Sequence, residues 1–153
     1  VEFDEQGNLK PYKLREANLV SFEENFVAFF PNSSTRARLF SEFLDYLTKL
    51  NETIGTGYTQ WIDGSYITKK LNPRDIDFVT FVDFNTYQLN ESCINQLREL
   101  RDLGKTGMDG YFVQVYPANH PKRFLYEANK IQWLYQFGRS RNDSLKGIIE
   151  IKH

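Results

Sequence analysis

Three observations predict an α+β fold, with a small mixed β-sheet of about four strands flanked by helices and two helices ahead of the sheet. Apolar residues recur at helical spacing in two stretches up to residue 50. Four short segments rich in Ile, Val, Phe, Tyr and Trp follow after residue 57, bounded by Gly, Pro, Asn or Asp. Two further helical stretches separate the last three of those segments. The predicted order is α-α-β-β-α-β-α-β, in a single domain over residues 1–153.

Each element has a local reason. Residues 1–17 are polar and mixed, with a turn signal at Gln6-Gly7-Asn8 and Pro11 beyond it, and read as an extended amino-terminal arm. Asn18 caps a helix to about residue 30, with Leu19, Phe22, Phe26 and Phe29/Phe30 on one face. Pro31-Asn32 ends it, and Ser33 or Ser34 caps a second helix to about residue 50. Leu39, Phe43, Leu44, Leu47 and Leu50 form its apolar stripe, and both stripes read as core. Gly55 and Gly57 close the helical region. Residues 58–63 form a strand that enters a Gly64-Ser65 turn, and residues 75–84 form the second strand. A helix over 90–103 stops at Gly104, and a strand over 109–116 stops at Pro117. A helix over 121–137 ends at Gly138, and residues 147–151 make a short last strand.

Composition sets the outer limits. Nineteen basic and twenty acidic residues give a net charge of -1, which excludes a strongly basic, non-specific nucleic-acid coat and leaves room for a local basic patch. One cysteine, Cys93, allows no internal disulfide, and with only His120 and His153 a zinc site of Cys or His type is not expected. No apolar run reaches the length of a membrane span, and the opening Val1-Glu2-Phe3-Asp4 has no signal-peptide character. The expected setting is cytoplasmic, with no membrane partner.

The informative stretch is Trp61-Ile62-Asp63-Gly64-Ser65, then nine residues, then Asp75-Ile76-Asp77-Phe78. Side chains alternate along a strand, so Asp75 and Asp77 share a face. Two carboxylates about 4 Å apart repel by about 4 kcal/mol at an effective dielectric near 20, and hard divalent cations such as Mg²⁺ (or Mn²⁺) are the natural counter-charge. A glycine at position 64 lets backbone approach a ligand closely. The N–H groups that follow it and the Ser65 hydroxyl then suit phosphate oxygens, above all if Ser65 opens a short helical turn. The bland alternatives are a solvated strand face or an ion pair with Arg74 for the two aspartates, and a simple turn serine for Ser65.

This pattern of Gly-Ser, a spacer and Asp-hydrophobic-Asp resembles the signature of the DNA polymerase β-like nucleotidyltransferase superfamily, although Asp63 stands where a hydrophobic residue is commoner. Phe3-Asp4-Glu5-Gln6-Gly7-Asn8-Leu9, Phe30-Pro31-Asn32-Ser33 with Arg36, Tyr116-Pro117, His120, Phe137-Gly138, Arg141 and Lys146-Gly147-Ile148 are similar to a family of short, uncharacterised prokaryotic nucleotidyltransferase-like proteins. The resemblance implies metal-dependent transfer of a nucleoside monophosphate from a nucleoside triphosphate, ATP or CTP foremost, to a hydroxyl of a protein or tRNA acceptor. It implies that Asp75 and Asp77 bind the ions, and that a third carboxylate from a later strand completes the site and helps deprotonate the nucleophile. Asp109 is the candidate for that third role, against its reading as an Asp-Gly turn residue. Small stand-alone members of the superfamily are linked to toxin–antitoxin and phage-defence systems, so a cognate toxin or antitoxin partner is an expectation of the same kind.

Other residues have weaker claims. Lys69 and Lys70 stand between the motif halves as triphosphate ligands or as a solvated pair. Arg139 and Arg141 suit an acceptor phosphate or a solvated turn. His120 reads as a capping or surface residue, Tyr66 as a base-stacking or packed aromatic, and Cys93 as an inert helix residue. The alternative function is a catalytically weak, antitoxin-like binding protein on the same fold. A carboxylate-based nuclease or phosphatase ranks third.

Overall fold

The computed structural model describes residues 1–104 and 106–153. Its centre is a five-stranded mixed sheet rather than the four strands expected. The strands in chain order are β1 (Glu2–Phe3), β2 (Leu9–Lys10), β3 (Leu14–Ala17), β4 (Thr59–Asp63), β5 (Ile76–Asp83), β6 (Met108–Val115) and β7 (Ile148–Lys152). The first two form a small antiparallel hairpin, and the main sheet runs β3-β7-β4-β5-β6. β4 is antiparallel to both β5 and β7, while β5–β6 and β3–β7 are parallel. The amino-terminal arm is therefore structured, and its Leu14–Ala17 segment is the fifth strand of the sheet.

Helix α1 (Leu19–Glu23) starts as its sequence predicts. Asn18 Oδ1 accepts from the Ser21 N–H at 2.8 Å and Ser21 Oγ accepts from the Asn18 N–H at 3.1 Å, a reciprocal cap. A π-helical turn over Glu24–Ala28 continues it. Helix α2 (Arg36–Ile54) outruns the expected end at residue 50. Ser33 rather than Ser34 tends its first turn, Oγ accepting from the N–H groups of Thr35 and Arg36. A short α3 (Phe84–Leu89), capped by Asp83 and not expected, precedes α4 (Glu91–Asp102). Helix α5 (Arg123–Phe137) leads to the loop before β7.

Strand alternation splits the core into two layers. Ile62, Phe78, Phe112 and Ile149 face α1, α2 and α4, where Phe22, Phe26, Leu39, Phe43 and Leu50 are fully buried. Burial of each such side chain stabilises the fold by roughly 1.5–3 kcal/mol. Trp61, Val79, Phe81, Val113 and Ile148 face the other way, against Tyr126, Trp133 and Phe137 of α5. No helix among the described residues is long and apolar enough to cross a membrane.

Candidate functional site

The pairing of β4, β5 and β6 lines up three acids. Asp63 is opposite Asp77, and Asp77 is opposite Asp109. Paired residues on neighbouring strands point to one face, here the face covered by α5. Asp75 stands one residue ahead of β5, rather than within the strand as expected, and opens into the same cleft. That cleft has a volume of about 960 Å³. The four acids line it together with Gly64, Ser65, Lys70, Arg74, Arg141 and Lys146.

The Gly64-Ser65 turn closes directly on the acids. Gly64 has φ +75°, and a Cβ at that position would overlap the Asp77 carboxylate. Both the left-handed backbone and the close approach require glycine there. Ser65 opens a 3₁₀ turn over Ser65–Ile67. Its carbonyl accepts from the Thr68 hydroxyl at 2.7 Å and from the Thr68 N–H at 3.1 Å. The expected placement of a small-residue turn beside paired carboxylates is thus present in the fold.

Electrostatics mark Asp77 as the centre. Burial, then sharing of a hydrogen bond with Asp109, then the charges of Asp75, Asp109 and Asp63 push its carboxyl up to about 8. Asp75 is raised by burial and by Asp109, and Lys70 and Arg141 pull it back. Asp63 is buried and raised to about 6 by desolvation, with Lys146 opposing the rise. Lys146 Nζ lies 2.9 Å from Asp63 Oδ1, a buried ion pair within the cleft wall. That oxygen accepts no hydrogen bond of good geometry among the described residues.

The weaker candidates divide. Lys70 lines the cleft, but Lys69 does not: its N–H donates to the Gly7 carbonyl at 2.9 Å and its Cβ faces Gly7. Tyr66 is fully buried and stacks on Phe22 at 5.8 Å, so it is unavailable to a base. His120 accepts from the Lys122 N–H at 2.9 Å and packs between Phe84 and Tyr116, away from the cleft. Arg139 and Arg141 do line the cleft, Arg139 with an ion pair to Asp143 at 3.4 Å. Cys93 is free and exposed on α4.

Asn8, Asp63 and Lys146 line the site without having been assigned to it from sequence. For Asn8 and Lys146 the only sequence signal was the resemblance drawn from Phe3-Asp4-Glu5-Gln6-Gly7-Asn8-Leu9 and Lys146-Gly147-Ile148. Asn8 reaches the cleft because Asp4 Oδ1 holds the turn before it, accepting from the N–H groups of Gln6 and Asn8. The Gly147 N–H then ties to the Leu9 carbonyl at 2.8 Å, which brings the arm against the base of β7.

An oxygen-only donor set of clustered, under-compensated carboxylates suits a hard divalent cation, and the scarcity of His and Cys disfavours softer metals. Among the described residues, however, no group of three or more His, Cys, Asp or Glu side chains is arranged to hold a metal as it stands. Asp77 and Asp109 face each other across β5 and β6.

Fold and cleft together define a mixed α+β domain with an acid-centred site facing a glycine turn. The chain belongs to DUF6932, a family of unknown function whose model matches residues 1–152. No curated protein and no solved structure matches it.

Proposed function

We propose that this cleft transfers a nucleoside monophosphate from a nucleoside triphosphate to an acceptor hydroxyl. One observation carries the reading: Asp77 and Asp109 are register partners on parallel strands, and the Gly64-Ser65 turn abuts the Asp77 carboxylate. A phosphate chain seated on that turn meets the acids directly.

Asp75, Asp77 and Asp109 would hold Mg²⁺ or Mn²⁺, which when bound neutralises charge on the phosphates and lowers the pKa of the attacking hydroxyl. The protein's own part is positional and protonic. N–H groups of the turn and the Ser65 hydroxyl orient the phosphates, and Lys70 adds a cation at the rim. The acceptor oxygen forms its bond to the α-phosphorus as the bond to the β-phosphate oxygen breaks. Pyrophosphate leaves with that electron pair, and the acceptor proton passes to the Asp109 carboxylate. The Arg139 and Arg141 side chains suit a phosphate-bearing acceptor such as a tRNA end, with a protein hydroxyl as the other acceptor class. A cytoplasmic setting supplies both triphosphate and Mg²⁺.

A second reading is a binding protein of antitoxin type that has lost turnover. Its support is α5, where Phe124, Ile131 and Tyr135 are each more than 60 % exposed along one side of the helix. The deciding experiment supplies ATP, CTP, GTP and UTP labelled at the α-phosphate, with Mg²⁺ or Mn²⁺ and total tRNA or cell lysate. Label transferred to a macromolecule by the wild type and not by Asp77→Ala supports transfer. Nucleotide binding with no transfer to any acceptor supports the binding protein. Absence of both removes the nucleotide from the proposal.

A further inference from the structure

Arg36 is among the largest fully buried side chains, at 0 % exposure. Arginine is almost never buried this deeply without an acidic partner. Among the described residues no carboxylate pairs with it. Its guanidinium is held instead by four backbone carbonyls: Nη1 donates to Phe26 at 2.8 Å and Tyr66 at 2.6 Å, and Nη2 to Thr68 at 2.9 Å and Lys70 at 2.6 Å. Its Cζ lies 3.8 Å from the Phe30 ring centroid. Tyr66 is fixed at both ends, because its hydroxyl donates to the Arg36 carbonyl at 2.8 Å.

Three of those four carbonyls, Tyr66, Thr68 and Lys70, alternate along the segment that joins Ser65 to Asp75. The same segment is tied again further on. Asn72 Oδ1 accepts from the Ser34 N–H at 2.8 Å and from the Ser33 hydroxyl at 3.2 Å. Residues 33–36 thus grip the chain from Tyr66 to Asn72 at both ends, from the α2 side. The acids lie on the opposite, α5 side of the sheet.

We propose that Arg36 is a positioning residue that shapes the Ser65–Asn72 phosphate segment and places an uncancelled positive charge behind it. The inference rests on the nucleotide reading of the cleft and adds a device to it. A buried cation bound only to carbonyl dipoles keeps its net charge, and low surrounding polarisability lets that charge act across the turn. The bound anion supplies the missing counter-charge. The effect therefore grows with the number of phosphate charges on the ligand. It also gives a purpose to the Phe30-Pro31-Asn32-Ser33 and Arg36 sequence, which lies far from the acids in the chain. A lysine cannot substitute, because an ammonium has no planar fork to span four carbonyls.

Three variants separate shape from charge. Arg36→Lys keeps a charge and loses the fork, Arg36→Met loses both, and Asn72→Ala loosens the far end while leaving Arg36 in place. Amide hydrogen exchange is read across the chain, and affinity is measured for Mg-ATP, Mg-ADP and inorganic tripolyphosphate. In Arg36→Lys, exchange is expected to rise at residues 66–72 with the β4 and β5 amides still protected, and Mg-ATP affinity to fall about tenfold. In Arg36→Met, the preference for ATP over ADP is expected to flatten as well. Asn72→Ala is expected to show the same local exchange with a smaller loss, and it carries the test if both Arg36 variants fail to fold. The positioning role is overturned if exchange rises evenly over the whole sheet, or if a folded Arg36→Lys keeps wild-type exchange at 66–72. The charge role is overturned if all three ligands weaken by one factor in Arg36→Met. A wild type that binds none of the three removes the nucleotide reading and the charge role with it, while the exchange data still decide the positioning role.

Discussion

Removing the central acid should make the protein more stable, and more so as pH rises. Strands in a sheet lie about 4.8 Å apart, so two ionised carboxylates facing each other across them repel by about 3.5 kcal/mol at an effective dielectric near 20. Asp77 has such a neighbour on each side, Asp63 and Asp109. Its pKa in the folded chain is raised from 3.8 to about 8, with burial as the largest cause. A raised folded pKa means that the folded state binds the proton more tightly than the unfolded state. The stability this lends is complete below the unfolded pKa and disappears as pH climbs through the folded one. Asp77→Asn abolishes that dependence. Asp77 is half-buried, and solvent screening trims the sum of its two neighbours to roughly 3 kcal/mol of gain near pH 9, with much less near pH 5. Urea denaturation of wild type and Asp77→Asn at both pH values, without divalent ions, measures the difference. A gain of equal size at the two pH values, or a loss at the higher one, refutes the crowding of carboxylates. The same pair tested with Mg²⁺ near neutral pH should show stabilisation of the wild type only.

Two other substitutions probe the walls of the cleft. Gly64→Ala places a Cβ against the Asp77 carboxylate on a left-handed backbone, and should cost about 1–3 kcal/mol or more in thermal or urea unfolding and eliminate any divalent response. Lys146→Met leaves buried Asp63 without its cation, and should cost about 3–5 kcal/mol near neutral pH. Asp63 already sits near 6 because of burial, so that loss should shrink as pH falls below 6 and the acid takes up its proton. Combining Lys146→Met with Asp63→Asn should recover most of it, as a double-mutant cycle will show.

Features set by short-range spacing were legible in the sequence. Gly64, Ser65, Asp75 and Asp77 sit within fourteen residues, and a strand, a turn and another strand bring them together with little freedom. Asp109 needed more, since its alignment with Asp77 depends on β5 and β6 running parallel in one register. Strand β3 was hidden because Leu14-Arg15-Glu16-Ala17 has little apolar content of its own and owes its conformation to β7. Helix α3 was hidden by its length of six residues, too few for a periodic pattern. Asn8, Lys146 and Arg36 belong to segments that reach the site only through tertiary contact. Lys69 shows the converse, a cation next to the motif whose backbone is committed to Gly7.

The position of β7 between β3 and β4 bears on how the chain is made. During translation β3 emerges ahead of its neighbour β7 and waits without it, and one margin of β4 stays bare until β7 follows. Bare margins of that kind invite pairing with a second nascent copy. Lys146 also emerges late, just ahead of that strand, so the acids of the hairpin first meet one another without their internal cation. The cleft therefore takes its shape only once residues 146–152 have joined strands made well before them.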